Sequence, residues 1–379
     1  MWSSQDASSF SKTRCRLRTW ISDCGAISGD VEKMSHFYTD LVSDTVTRPS
    51  PGMLQAMVDA STGDEQRGED PTTLALCDRV AQMMGFDDAI FLPSGTMCNQ
   101  IAFLVHCRPG DEVIAAGNAH IMRSEGAGAA ALAGAQIHPI PTSRGIFTAD
   151  DVSPLIRTRR DRAPVTRLIC VEQTTNSGGG AVWPIDTLSK LAKLARAKGL
   201  VMHMDGARLL NAVVASTLPA KNHCAGFDSA WIDLSKGLGC PVGAVLAGDS
   251  DFIRQAWVWK HRLGGAMRQS GVLAAAGLYA LDHNINRLAD DHRNARLLAD
   301  LLSDTPGIDV FPEVIESNIL FLDITRTGKT TGIINTILSA SGVRLNAESP
   351  TRFRAVTHLG ISSEQILGAA KAIKDACKA

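Results

Sequence analysis

The segment Trp231-Ile-Asp-Leu-Ser-Lys236-Gly-Leu-Gly-Cys-Pro-Val-Gly-Ala-Val-Leu-Ala247 carries most of the information about the fold. An apolar run leads to Lys236, and Gly237 and Gly239 follow it closely. A lysine at the end of a buried strand is costly because its ammonium group must be desolvated, and a covalent imine at its nitrogen avoids much of that cost. The glycines let a flat ring approach the backbone. The segment by itself is equally compatible with a solvated lysine at a strand end.

A second segment, Leu200-Val-Met-His-Met-Asp205-Gly-Ala-Arg208, supplies an acidic residue at another predicted strand end. Its apolar run has the length of a strand and stops at Asp205. Pyridoxal phosphate (PLP) needs a lysine for its Schiff base and an acidic partner for its pyridine nitrogen. Because Lys236 and Asp205 offer both, the sequence predicts a PLP-dependent enzyme.

Composition restricts the class of protein further. The chain has 379 residues, 45% hydrophobic and 5% aromatic, which suits an α/β core divided between a large and a small domain. The 38 basic and 39 acidic side chains nearly cancel, so we expect neither nucleic acid nor a membrane as a partner. Nine scattered cysteines without a C-x-x-C pair argue against a disulfide framework or a metal site, and they indicate a reducing, cytoplasmic location.

The first 40 residues differ from the rest of the chain. Five serines between positions 3 and 11 precede four basic residues between positions 12 and 18. A transit peptide has such a composition. We favour two other interpretations, a disordered extension or a start codon upstream of the true one at Met34, and so we expect residues 1–40 to lie outside the fold.

Strand-like and helical patterns alternate through the middle of the chain, which predicts a largely parallel sheet. The strand-like runs outside the lysine segment are 89–93, 112–116, 137–141, 168–173 and 200–205. We expect a large PLP-binding domain over 41–280 and a small C-terminal α/β domain over 281–379, bridged by one long helix from about 277 to 302. The small domain has strand-like runs at 308–311, 319–324 and 353–357.

Two further features stand at the ends of predicted strands. Ser94-Gly95-Thr96 separates a strand-like run from a helical pattern, which places free backbone N–H groups at a helix N-terminus, a suitable site for a phosphate. His120 follows another strand-like run, at the edge where α/β sheets bind ligands. Each signal also has an ordinary structural explanation. The tripeptide is typical of a helix N-cap, and a single histidine is typical of a structural residue.

Taken together and in order, the motifs resemble those of the low-specificity L-threonine aldolases, from about Leu41 to the C-terminus. The motifs are Ser43-Asp-Thr-Val-Thr, Gly68-Glu-Asp-Pro-Thr, Ser94-Gly-Thr, His120, Asp205-Gly-Ala-Arg, Ser235-Lys-Gly, Gly264-Gly-Ala-Met-Arg-Gln and Arg354-Ala-Val-Thr-His358. The resemblance implies the aspartate-aminotransferase fold (fold-type I of PLP enzymes), with a mostly parallel seven-stranded sheet. It also implies a homodimer or homotetramer whose active site is shared between subunits.

The resemblance implies how the cofactor is held. Lys236 would carry PLP as a Schiff base, and Asp205 would keep the pyridine nitrogen protonated. His120 would stack on the ring. The residues implied at the phosphate and along the rest of the cofactor are Ser94, Gly95, Thr96, Arg208, His261 and Arg268, the last of them from either the same or a neighbouring subunit.

The resemblance also implies a substrate and a reaction. Ser43, Arg208 and Arg354 would bind the amino-acid carboxylate, the two arginines as a clamp. A base, either His120 directly or a water that it holds, would remove the β-hydroxyl proton, with Glu125 tuning the site. The Cα–Cβ bond of an L-β-hydroxy-α-amino acid would then break to release an aldehyde and leave glycine.

Three residues depart from the family pattern. Thr175 stands where many members have a histidine thought to contact the substrate hydroxyl, and a threonine hydroxyl is a poor base near neutral pH. We expect Thr175 to contact the substrate and substrates bulkier than threonine, such as phenylserine, to be accepted. His261 replaces a lysine that often precedes the glycine-rich turn, and Arg67 stands where a tyrosine is common.

Two alternatives remain open from the sequence. A β-eliminating or transaminating enzyme on the same fold would use the same cofactor motifs, because these do not fix the bond that breaks. A cofactor-free binding module with a nucleotide-type sheet is the other, although no G-x-G-x-x-G follows the first strand-like run.

Overall fold

The structure of this chain is a computed structural model that describes residues 39–158 and 162–378. Most of the predicted N-terminal extension lies outside the described residues. Its last two residues do not fit that prediction, because Thr39 and Asp40 form a short parallel pair with Val343 and Arg344.

The described residues form thirteen strands and fourteen α-helices. The strands are β1 Thr39–Asp40, β2 Asp88–Leu92, β3 Asp111–Ala116, β4 Gln136–Ile140, β5 Val165–Glu172, β6 Val201–Asp205, β7 Ser229–Asp233, β8 Ala244–Gly248, β9 Asp309–Phe311, β10 Ile319–Asp323, β11 Val343–Arg344, β12 Asn346–Ser349 and β13 Arg352–Val356. The helices are α1 Pro51–Val58, α2 Pro71–Met84, α3 Gly95–His106, α4 His120–Arg123, α5 Gly128–Ala133, α6 Ala149–Val152, α7 Ile185–Lys198, α8 Leu209–Ser216, α9 Ala220–His223, α10 Ser250–Arg262, α11 Gly271–His283, α12 Leu288–Ser303, α13 Thr331–Ala340 and α14 Ser363–Lys378.

A seven-stranded sheet in the order β2-β8-β7-β6-β5-β3-β4 forms the centre of the large domain. The pairs β3–β4, β3–β5, β5–β6 and β6–β7 are parallel, whereas β8 is antiparallel to both β2 and β7. Every residue of β3 and β8 is buried, as expected for strands covered by helices on both faces. The predicted mostly parallel seven-stranded sheet is confirmed.

The connection between β7 and β8 carries Lys236. Both strands are apolar and buried, and the glycine-rich loop 234–243 that joins them opens at the carboxyl end of β7. The carboxyl ends of β5 and β6, at Glu172 and Asp205, lie at the same edge of the sheet because these strands are parallel to β7. The fold therefore gathers the predicted chemistry at one edge.

The C-terminal part has its own antiparallel sheet in the order β12-β13-β10-β9, packed with α12, α13 and α14. Two separate apolar clusters underlie the two parts: one runs from Met53 to Leu288, and the other joins Leu41 to residues from Ala295 to Cys377. The division at residue 280 stays a prediction, and Leu41 packs with the C-terminal cluster. Among the described residues, no helix is long and apolar enough to cross a membrane.

The predicted long bridging helix from 277 to 302 is wrong. The chain instead forms α11 and α12, separated by a turn at residues 284–287. Asn284 ends α11, and its side-chain amide donates to the carbonyl of Leu238 in the lysine loop at 2.7 Å. A short polar side chain with such a tertiary partner competes with helix continuation, and sequence periodicity does not report that competition.

Candidate active site

A cavity of about 300 Å³ opens at the carboxyl edge of the large sheet. Of the residues predicted to hold the cofactor, those lining the cavity are Ser94, Gly95, Thr96, His120, Asp205, Arg208 and Lys236. The predicted substrate-binding residues Ser43 and Arg354 line it together with Arg208. Thr175, His261 and Arg268 are not part of the lining.

Lys236 reaches the cavity from the loop after β7. Its Nζ lies 2.8 Å from Asp233 Oδ2 and 5.8 Å from the centroid of the Trp231 ring, and its side chain is 20% exposed. Its own carbonyl oxygen accepts a hydrogen bond from the Thr47 hydroxyl at 2.8 Å. The backbone at Lys236 is thus fixed, and the amine can be reached from the cavity.

Asp205 is buried at the end of β6, and the donors that bind its carboxylate among the described residues are neutral. The Asn99 amide donates to Oδ2 at 2.8 Å, and the N–H of Ala207 donates to Oδ1 at 3.1 Å. Asn99 is itself oriented, because its Oδ1 accepts the indole N–H of Trp231 at 2.7 Å and hydrogen-bonds His203 at 3.1 Å. The position of the Asp205 carboxylate therefore depends on a buried amide from helix α3.

The electrostatic surroundings of Asp205 suit a cationic ring nitrogen. Burial first, and then the nearby carboxylates Glu172 and Glu125, raise the pKa of Asp205 to about 7, and Lys236 only partly offsets them. A buried carboxylate without a cation in contact is unfavourable when ionised. A protonated pyridine nitrogen provides the missing positive charge, so the residues present fit PLP.

The start of helix α3 fits a phosphate group. Ser94 is the N-cap, and its Oγ accepts the N–H of Met97 at 3.3 Å, which leaves the N–H groups of Gly95 and Thr96 for a ligand. A Cβ at Gly95 would lie 2.2 Å from the Trp231 ring, so only glycine lets the helix start approach so closely. Backbone N–H groups and the helix dipole favour an anion here.

His120 is fixed by two acidic residues. Its Nδ1 lies 2.8 Å from Glu125 Oε1, and its backbone N–H donates to Glu172 Oε2 at 2.6 Å. The hydrogen bond that Glu125 accepts from the His120 ring raises the pKa of His120, with burial acting against it. Glu125 in turn accepts hydrogen bonds from the side-chain amides of Asn99 and Gln100, both at 2.7 Å. The imidazole is therefore held by Nδ1, and its Nε2 is left for other contacts.

Arg208 is paired with a carboxylate of the chain itself, and its predicted contact with the substrate carboxylate stays a prediction. Its Nε and Nη2 donate to the two oxygens of Asp44, both at 2.8 Å, and both side chains are almost fully buried. Burial alone would raise the pKa of Asp44, but Arg208 holds that pKa well below its usual range. Because Nε and one N–H of Nη2 face Asp44, Arg208 keeps mainly its Nη1 donors for other partners.

Arg354 is less committed than Arg208. Its Nη1 donates to Asn176 Oδ1 at 3.1 Å, and Arg208 Nη1 reaches the same oxygen at 3.4 Å. Its Nε lies 3.6 Å from Glu348, too far for a hydrogen bond, and is buried without a hydrogen-bond partner among the described residues. Arg354 is thus the guanidinium group in the lining with unused donors.

The predicted contact of Thr175 with the substrate stays a prediction, and in the structure its side chain is engaged within the loop after β5. Its hydroxyl accepts the N–H of Ala181 at 3.1 Å inside the loop after β5. A Cβ at Gly178 would lie 2.3 Å from that hydroxyl, so the side chain is closely surrounded. The neighbours Thr174 and Asn176 line the cavity instead.

Arg268 and His261, which the resemblance places at the cofactor, and Arg67, which departs from the family pattern, do not line this cavity. Arg268 is 61% exposed and pairs with Asp64 at 2.9 Å. His261 is exposed on α10, and its ring lies 6.0 Å from that of Trp257. Arg67 is exposed and lies 3.8 Å from Asp64. The predicted cofactor contacts of Arg268 and His261 stay predictions.

Sequence reasoning missed four residues of the lining or its support: Asn99, Glu172, Asn176 and Asp233. Glu172 and Asp233 are the last residues of β5 and β7, and a position near the end of a strand-like run was the available signal. Asn99 and Asn176 gave no signal, because a mid-helix amide and a loop amide have no pattern that marks them as ligands.

The comparisons with known proteins agree with this geometry. The family model described as "Beta-eliminating lyase" matches residues 40–325. The chain is 42% identical to the low specificity L-threonine aldolase of Escherichia coli K12 over 86% of this chain and 96% of that protein. It is 38% identical to the low-specificity L-threonine aldolase 1 of Arabidopsis thaliana over 86% and 93%. The solved structure of Leishmania major threonine aldolase superposes with a TM-score of 0.77 at 20% identity, over 89% of this chain and 99% of that one.

Fold and cavity together define a PLP-dependent enzyme of the aspartate-aminotransferase fold type, a carbon–carbon lyase by its relatives. The chain belongs to the low-specificity L-threonine aldolase family, within the β-eliminating lyases. The resemblance, the fold class, the cofactor and the enzyme class expected from the sequence are confirmed.

Proposed function

We propose that this chain cleaves L-threonine, L-allo-threonine and bulkier L-β-hydroxy-α-amino acids such as phenylserine to glycine and an aldehyde. The observation that carries the proposal is the meeting of the Lys236 amine, the Asp205 carboxylate and the free Arg354 donors around one cavity. The names of the relatives support the same substrate class.

In this proposal the large domain holds the cofactor at four points. Lys236 bonds to it, Asp205 meets its ring nitrogen, His120 covers its ring, and the N–H groups of Gly95 and Thr96 bind its phosphate. When bound, PLP accepts the electron pair that is released as the Cα–Cβ bond breaks.

The substrate carboxylate is assigned mainly to Arg354. Arg354 lines the cavity with its unused donors. Two other groups line it as well, Nη1 of Arg208 and the hydroxyl of Ser43. A carboxylate oxygen could take the place of Asn176 Oδ1 between the two guanidinium groups, because both already donate to that oxygen. Charge-assisted hydrogen bonds of this kind fix the Cα–Cβ bond relative to the ring.

His120 is assigned as the group that takes the β-hydroxyl proton, directly or through a water. Its Nδ1 is held by Glu125, so the proton would go to Nε2. The raised pKa of His120 makes the imidazole a stronger base. Only the unprotonated imidazole accepts the proton, so we expect kcat/KM to rise with pH as His120 loses its proton.

Product analysis tests the proposal. The purified protein with PLP is incubated with L-threonine and with L-phenylserine, and aldehyde plus glycine is the expected product pair. Ammonia plus a keto acid would instead identify the eliminating alternative, and transfer of the amino group to an added keto acid would identify an aminotransferase. Lys236→Ala should lower turnover by at least about 10³-fold. Borohydride should fix PLP onto the wild type but not onto this variant.

We also propose that the chain is a cytoplasmic homodimer or homotetramer with a shared active site. Leu54 (50%) and Val58 (78%) on α1 and Leu74 (48%) on α2 are exposed, and both helices pack against α11, which supports an interface there. The seven described cysteines are unpaired and buried, which agrees with a reducing compartment. Light scattering coupled to gel filtration measures the assembly, and a monomer at micromolar concentration would contradict it.

A further inference from the structure

We propose that Asp233 is a positioning residue for the catalytic amine: it receives and holds Lys236 as an ammonium ion whenever that amine is not bonded to the cofactor. The inference deepens the proposed function and rests on the assignment of Lys236. Asp233 was given no role by the motifs, because it stands as an ordinary polar residue at the end of β7.

The geometry of Asp233 divides its two oxygens between two tasks. Oδ1 accepts the backbone N–H and the hydroxyl of Ser235, both at 2.8 Å. Oδ2 lies 2.8 Å from Lys236 Nζ. Because Oδ1 is anchored by two donors, Oδ2 points in a fixed direction, and it points at the amine.

The surroundings make this contact stronger than a surface ion pair. The side chain of Asp233 is only 6% exposed and that of Lys236 is 20% exposed, and both line the cavity. Ion pairs that are partly removed from water are screened less than exposed ones. Asp44 and Asp205 also act on Lys236 through space, but among the described residues Asp233 is the one carboxylate in ion-pair contact with it.

The contact matters at the exchange step of the reaction. In this exchange the C=N double bond between the aldehyde-derived carbon of the cofactor and Lys236 Nζ would be replaced by a C=N double bond between the same carbon and the substrate nitrogen. The substrate nitrogen arrives as –NH3+, and its three protons would pass to Nζ. Lys236 therefore leaves as an ammonium ion, and the 2.8 Å contact shows where it goes: to Asp233 Oδ2.

Removing the charge of Asp233 should have opposite effects on two processes, the displacement of Lys236 by an amino acid and the condensation of Lys236 with PLP. Asp233→Asn should disfavour displacement of Lys236 by an amino acid, because the released ammonium loses its partner. The same variant should speed the condensation of PLP with the cofactor-free protein, because the contact of Nζ with Asp233 Oδ2 must be broken before Nζ can bond to PLP. A loop that is merely distorted would impair both processes together.

The experiment measures both processes at one fixed pH near neutrality. Glycine is titrated into the holoenzyme and the change in the visible absorbance of the cofactor gives its apparent Kd; stopped-flow mixing of the cofactor-free protein with PLP gives the condensation rate. For Asp233→Asn we expect the glycine Kd to rise about tenfold and the condensation rate to rise several-fold. Asp304→Asn, an exposed acidic residue distant in sequence, should change neither value.

Any other pattern overturns the inference, in particular a glycine Kd within twofold of the wild type, or a weaker Kd together with slower condensation. Ser235→Ala removes one of the donors to Oδ1 and keeps the carboxylate, so it should shift both values in the same directions by a smaller factor. If Asp233→Asn does not fold, the two values measured for Ser235→Ala decide whether Asp233 has the proposed role. If the wild type forms no lysine-linked absorbance that Lys236→Ala abolishes, the proposed function fails, whereas normal formation without the opposite shifts removes only the role of Asp233.

Discussion

The two sides of the cavity differ in how their buried charges are neutralised. On the side of the cofactor ring, Glu125, Glu172 and Asp205 lie close together, and neutral amides and one imidazole supply most of their hydrogen bonds. On the side of the substrate carboxylate, Asp44 already neutralises Arg208. The ring side therefore has an excess of negative charge that suits a cationic ligand, whereas on the other side the charge of Arg208 is neutralised and Arg354 keeps donors for an anion.

The largest effect on stability should come from removing the charge of Asp44 in the buried Asp44–Arg208 pair. Asp44→Asn leaves the buried Arg208 without a counter-ion, and we expect the free energy of unfolding to fall by about 3–5 kcal/mol. Chemical denaturation of the variant and the wild type measures this loss.

Asp40→Asn is the matched control for that change. Asp40 lies in the same segment and also pairs with an arginine, Arg344, but both side chains are more than a fifth exposed. Its loss should cost less than about 1 kcal/mol. Equal losses in the two variants would show that burial does not distinguish the pairs.

The raised pKa of Asp205 on the ring side should make the free energy of unfolding depend on pH. The raised pKa of Asp205 means that the folded cofactor-free protein binds more protons than the unfolded chain between pH 3.8 and about 7. Its stability should therefore fall as pH rises through this window, by up to about 4 kcal/mol. With PLP bound, the protonated ring nitrogen keeps Asp205 ionised in the folded state, and this fall should largely disappear.

Denaturation of the cofactor-free and the PLP-bound protein at several pH values between about 4 and 8 checks this expectation. The range is set by the pKa of Asp205 in the unfolded chain and in the folded protein. Asp291, whose pKa burial also raises to about 7, titrates in both forms, so the difference between them isolates Asp205. Parallel pH profiles for the two forms would contradict the assignment of Asp205 to the ring nitrogen.

The same contrast explains which parts of the site could be predicted from sequence. Lys236, Asp205 and Ser94 each stand where an apolar run of strand length ends, so their common edge followed from the parallel sheet. Asn99 is different, because its importance arises from contacts with Asp205, Trp231 and His203 across more than a hundred positions. No local pattern encodes such contacts.

Charge pairing was equally hidden from the sequence. Arg208 follows Asp205 in a recognisable motif, but its fork is taken by Asp44, 164 positions away in the chain. The loop after β5 shows a related difficulty, because irregular backbone gives no period from which the direction of the Thr175 and Asn176 side chains could be derived. The break between α11 and α12 depends on the contact of Asn284 with the lysine loop.

The free donors of the carboxylate side can be tested at Arg354. Arg354→Ala removes them, and we expect KM for L-threonine to rise about tenfold to a hundredfold, as for the loss of a charge-assisted hydrogen bond. The absorbance of the bound cofactor should stay unchanged, because Arg354 lies on the substrate side. Arg352→Ala is the matched control: Arg352 is on the same strand, but its guanidinium group packs 4.2 Å from the Phe321 ring and does not line the cavity. A similar KM for both variants would contradict the role of Arg354.

The smallest effect should be that of Thr175→His. A histidine there would match the family pattern, whose absence was the reason to expect that substrates bulkier than threonine are accepted. The threonine hydroxyl instead accepts the N–H of Ala181 within the loop and does not reach the cavity. We therefore expect the ratio of kcat/KM for threonine to that for phenylserine to change by less than about threefold, well below the effect of one charge-assisted hydrogen bond. Asn176→Ala is the comparison variant, because Asn176 Oδ1 joins both arginines, and it should raise KM for both substrates alike. A strong shift towards threonine in Thr175→His would mean that the loop rearranges and that position 175 reaches the substrate after all.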